Sequence, residues 1–89
     1  MATKQTLPKW FNGTLYTEGD LVTNQFTGQE YKLNAAELSM YDFIMGSQML
    51  IELRGGLMAP STAPLQTEMA KGLSWFRKFN AQAYMVLLD

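Results

Sequence analysis

With no cysteine and no histidine among its 89 residues, the chain has no thiolate nucleophile, no disulfide, few of the usual zinc ligands and no imidazole base. Acid–base chemistry would fall to its carboxylates, Glu18, Asp20, Glu30, Glu37, Asp42, Glu52, Glu68 and Asp89. A carboxylate-dependent hydrolase or a metal site needs two or more of them to converge in a cleft. Glu18 and Asp20 share one turn, but Glu18-Gly19-Asp20 is shorter than a calcium loop and reads as a solvated turn. Asp42 stands out because helical spacing places it on the same side as Leu38, Met45, Gly46 and Met49. A carboxylate there must face solvent at a seam, be paired, or sit partly buried, and pairing with Arg77 or Lys78 is the favoured expectation. No second group is in view to work with it as a catalytic acid. Leu53-Arg54-Gly55-Gly56 ends a helix rather than opening one, so it is no phosphate loop, and no serine sits in a nucleophile elbow. The chain therefore reads as a non-enzyme, with no catalytic residue, cofactor or metal expected.

Seven Lys and Arg against eight Asp and Glu give a net charge of −1, and the bases are dispersed. Nucleic-acid binders need a basic groove to displace counterions, so nucleic acid is not the expected partner. Lys71, Arg77 and Lys78 form the one local basic group, whose plain reading is a solvated helix face. Trp10, Phe11, Tyr16, Phe26 and Tyr31 could stack bases, with Lys9, Lys32 and Arg77 as companions. Without a basic surface they are expected instead to cover a helical hairpin. The first residues, Met1-Ala2-Thr3-Lys4-Gln5-Thr6, lack the apolar run of a signal peptide. No segment has the ~18 apolar residues of a membrane span, so the expectation is a cytoplasmic protein without a membrane partner.

These residues must be positioned by a single small domain. Residues 1–9 read as a flexible lead-in, and 10–89 as one α+β domain. Within it, 10–33 is rich in Thr, Tyr, Val and Phe and punctuated by Gly13, Gly19 and Gly28, which predicts a β-hairpin or three-stranded meander. One strand is expected over Gly13–Thr17, turning at Glu18-Gly19-Asp20 into Leu21-Val22-Thr23. A second turn, Asn24 to Gly28, leads to Glu30–Leu33, with Leu21, Thr23, Tyr31 and Leu33 expected to share a face. Asn34 and Glu37 form a capping box that opens a first helix over 34–54, closed by Gly55-Gly56. After a loop, Ser61 or Thr62 caps a second helix, 64–87, with Pro64 in its first turn.

The two helices should form an antiparallel hairpin. The stripe Leu65, Met69, Gly72, Phe76, Phe79, Ala83 is the expected seam of the second helix, and Phe43, Gly46, Leu50, Leu53 that of the first. A loop midpoint near Ala59 then brings Gly46 opposite Gly72 in a close helix–helix contact. The apolar residues exceed what a small sheet and the opposite helix can cover, while only 17% of residues are charged, against about 25% in an ordinary soluble domain. The surplus, Tyr41, Ile44, Met45, Met49, Ile51, Trp75 and Tyr84, is the expected self-association surface, with a homo-oligomer, most simply a dimer, as the outcome. A Met-rich core is the competing explanation.

Val22-Thr23-Asn24-Gln25-Phe26-Thr27-Gly28, Leu33-Asn34-Ala35-Ala36-Glu37-Leu38-Ser39-Met40-Tyr41-Asp42-Phe43-Ile44 and Trp75-Phe76-Arg77-Lys78-Phe79-Asn80 together resemble small uncharacterised accessory proteins of tailed bacteriophages of marine bacteria, in particular cyanobacterial phages. The resemblance is one of texture without a functional motif. It implies the cytoplasm of an infected bacterium, an accessory role and a host protein as a further partner. The leading expectation is thus a non-enzymatic, self-associating protein-interaction module. The alternatives are a single-stranded nucleic-acid accessory protein and a carboxylate-dependent hydrolase assembled at an oligomer interface.

Overall fold

The computed structural model describes residues 7–88 and has an α+β architecture: a two-stranded sheet followed by three helices. Strands β1 (Asp20–Thr23) and β2 (Glu30–Leu33) pair antiparallel, with Val22 opposite Tyr31 and Asp20 opposite Leu33. The turn between them is built by Asn24, whose Oδ1 accepts the Phe26 and Thr27 amides, and it closes at Gly28, whose φ of 78° favours glycine. This register fixes the faces. Directly paired residues share a side, so Val22, Tyr31 and Leu33 point to the core and Leu21 points out. The expected grouping of Leu21 and Thr23 with Tyr31 and Leu33 is therefore wrong on β1.

No strand forms over Gly13–Thr17, which corrects the three-stranded alternative. Residues 10–19 instead cross the helices as an irregular segment. Trp10 and Phe11 pack on Phe43, at ring-centroid distances of 5.7 and 5.4 Å, and the Tyr16 amide donates to Ser39 Oγ. Gly19 is not the tip of a hairpin; a Cβ there would run into the Leu33 carbonyl, so the chain lies flat against the end of β2. Within the lead-in expected over 1–9, residues 7 and 8 are already part of the domain: Leu7 packs on the core and the Phe11 amide donates to the Pro8 carbonyl. Residues 1–6 of that expectation lie outside the described residues.

Helix α1 (Ala35–Leu53) opens with the capping box: the Glu37 amide donates to Asn34 Oδ1, and the Asn34 amide to Glu37 Oε1. It closes at Gly55 and Gly56, whose amides reach the Glu52 and Ile51 carbonyls in a Schellman arrangement that needs their positive φ. A 3-10 turn, Pro60–Thr62, leads into α2 (Ala63–Phe79). Thr62 occupies the capping position, yet its buried hydroxyl lies against the Gly56 and Ala59 carbonyls and accepts from Gln66, bracing the loop rather than the helix.

The second helix does not run to Leu87 unbroken. It stops at Asn80, and α3 (Ala81–Leu87) starts there with Asn80 as its cap, the Ala83 amide donating to Asn80 Oδ1. The break turns α3 back onto β2, where Ala83 and Leu87 close the core around Leu33, Met40, Ile44, Trp75 and Phe76. Asn24 ties the far end: its Nδ2 donates to the Val86 carbonyl at 2.9 Å.

Candidate functional site

Helix α1 carries two apolar stripes, each spaced by three and four residues. The inner one, Met40, Ile44, Ser47 and Ile51, is buried; Met40 and Ile44 are fully covered. The outer one follows Phe43, Gly46, Leu50 and Leu53, of which only Phe43 is covered, by Trp10 and Phe11. This reverses the expected seam. Gly72 of α2 does sit at the helix contact, but a Cβ there would lie 2.9 Å from Ile44 Cγ1 and 3.3 Å from Met40 Sδ. Gly46 faces away, and a Cβ there would meet nothing within 4 Å. The Gly46–Gly72 contact is not made, because α1 meets α2 through a phase shifted to the neighbouring stripe.

The same shift redistributes the expected self-association residues. Ile44, Ile51 and Trp75 belong to the core, and Tyr41 and Tyr84 are half-buried against it. Burial raises the Tyr41 phenol above its ordinary pKa of 10.0. Arg77 stacks over the Tyr84 ring at 5.4 Å. Met45 and Met49 remain at the surface, joined by residues the expectation left in the seam, Leu50 and Leu53, and by Leu57 and Met58 of the following loop. Met58 is 94% exposed. A notch of about 410 Å³, lined by Ile51, Gly56, Leu57 and Met69 with Gln48 and Glu52 at its edge, opens beside them. The outcome is a set of exposed apolar side chains along the outer side of α1 and over the loop end of the hairpin, with the exposed Asp42 among them. Glu52 and Arg54 flank Leu53 with opposite charges.

Asp42 is exposed on α1, and neither Arg77 nor Lys78 bonds it; the expected pair is not formed, since the inner stripe turns Asp42 away from α2. The buried carboxylate is Glu37, which works within the scaffold. Its Oε1 accepts the Asn34 amide and its Oε2 accepts Asn80 Nδ2 at 2.7 Å, while Asn80 Oδ1 also takes the Tyr31 hydroxyl at 3.4 Å. One glutamate thus clamps the starts of α1 and α3 together under β2. Sequence reasoning found the capping half of this network. Asn80 it missed, although an Asn before Ala-Gln-Ala is a helix-start signal inside an otherwise helical pattern.

The aromatics of 10–33 form no common platform. Trp10 and Phe11 cover Phe43, Tyr31 leans on the core, and Phe26 stands fully exposed on the turn. Among the described residues no group of three or more acidic, His or Cys side chains gathers as a metal site would require. Nor is any helix among them long and apolar enough to cross a membrane. No family model, curated protein or solved structure matches the chain.

Proposed function

We propose that this chain is a non-catalytic interaction module that associates with a second copy of itself through the outer stripe of α1. The observation that carries the reading is the exposure of Leu50, Leu53 and Met49 around Gly46. Positions 43, 46, 50 and 53 are spaced as the a and d positions of a helix seam, and such a seam accepts another helix. A glycine in the middle of it, with open space above its Cα, lets a second backbone approach closely. Glycine costs about 1 kcal/mol against alanine inside a helix, a cost that close approach would offset. Leu57 and Met58 extend the surface beyond the helix end.

Sedimentation equilibrium over a wide concentration range tests the proposal. The unmodified chain is expected to dimerise, and Leu50→Glu or Leu53→Glu to remain monomeric with a melting temperature equal to that of the dilute parent, because neither side chain belongs to the core. A chain that stays monomeric at millimolar concentration would refute the reading.

A further inference from the structure

A second surface lies on α2, sharing no residue with the outer stripe of α1. Thr67, Lys71, Ser74 and Lys78 follow one another at spacings of four, three and four and so line one side of that helix. With Trp75 at its base and Pro8 and Trp10 across from them, they bound an open groove of about 620 Å³. Among the described residues no carboxylate lines it. Neither lysine has an ion-pair partner among the described residues; the Lys71 ammonium lies over the Trp10 ring at 5.9 Å and that of Lys78 over Phe79 at 5.4 Å. Indoles, hydroxyl groups and two cations thus line one trough.

We infer that this groove docks an acidic amphipathic helix of a partner protein. The spacing of the cations selects it. Lys71 and Lys78 are seven residues apart, two helical turns and about 10.5 Å along the axis. Carboxylates at i and i+7 of an incoming helix repeat that distance on one face, and apolar residues at i+3 and i+4 between them meet Trp10 and Trp75. Within α1 or α2 no two carboxylates are seven residues apart, so a second copy does not supply the pattern. Two cations are also too few for single-stranded nucleic acid, whose binding relies on a positively charged groove that tracks the backbone.

Trp10 and Trp75 are the chain's two tryptophans, so intrinsic fluorescence reports on the groove directly. The probe is a synthetic helical peptide without Trp or Tyr, with Glu at i and i+7 and Leu at i+3 and i+4. Titration is expected to give a saturable change in tryptophan emission. Replacing both Glu by Gln in the peptide, or Lys71→Gln or Lys78→Gln in the protein, should weaken binding about two- to fivefold per lost charge pair. Both lysines are exposed, and unchanged melting temperatures will show that the variants fold. No emission change at millimolar peptide, or equal affinity for the Glu and Gln peptides, would overturn the inference. Tighter binding of a single-stranded oligonucleotide than of the acidic peptide would overturn it too, by giving the groove to a different occupant.

Discussion

α1 and α2 are neighbours of similar length, but they distribute their side chains differently. α2 buries Gly72, Trp75 and Phe76 and turns Thr67, Lys71, Ser74, Arg77 and Lys78 to solvent, so it has one apolar side and one polar side. α1 buries Met40, Ile44, Ser47 and Ile51 and exposes Met45, Met49, Leu50 and Leu53, so it is apolar on both. Its buried stripe even includes a serine, Ser47, while leucines stand outside. α1 thus presents leucines to water on one side while it buries a serine on the other. The contrast is the ground on which the proposed pairing through α1 rests.

The largest effect that separates the stripes comes from the inner one. Ile44→Ala should destabilise the fold by about 2–5 kcal/mol, whereas Leu53→Ala should change monomer stability by less than about 0.5 kcal/mol, both read by chemical denaturation of dilute protein. Similar costs for the two would break the comparison. Next comes the clamp that holds α3 against the start of α1. Asn80→Ala removes the α3 cap and the 2.7 Å bond to buried Glu37, and a loss of about 2 kcal/mol is expected, with amide exchange fastest in α3.

The two glycines give smaller effects of opposite sign. At Gly72 an added methyl must displace Ile44, so Gly72→Ala should cost about 1–2 kcal/mol despite the better helix propensity of alanine. At Gly46 the methyl enters open space, and Gly46→Ala should stabilise the monomer by up to about 1 kcal/mol. Thermal melts of the two variants beside the parent decide whether the signs differ.

The same contrast explains what could be read from the sequence. The seam of α2 was legible through Met69, Gly72 and Phe76, because its charged residues excluded every other phase. The seam of α1 was not, because 43–46–50–53 and 40–44–47–51 have equally good periodicity and the buried one contains a serine. Periodicity fixes which residues share a face, not which face is covered. The ends of α1 were legible because Asn34, Glu37, Gly55 and Gly56 each act on their nearest backbone neighbours. The missing third strand was not, since the path of 10–19 depends on contacts distant in sequence, such as Tyr16 with Ser39, while the break at Asn80 had a local sign, its cap on Ala83, hidden in an otherwise helical pattern. The α+β class survived these errors because it rests on the Asn24–Gly28 turn and the capping box, which are local.

Gly46→Glu tests the central claim most directly, since it alters the outer stripe at a position where the fold has nothing to lose. Analytical ultracentrifugation of the parent and the variant, with thermal melts of both at low concentration, is the measurement. The account predicts a parent that dimerises with rising concentration and a variant that stays monomeric while melting no lower than the parent. A variant that dimerises as tightly as the parent would contradict it, and would leave the exposed leucines of α1 without the role assigned to them.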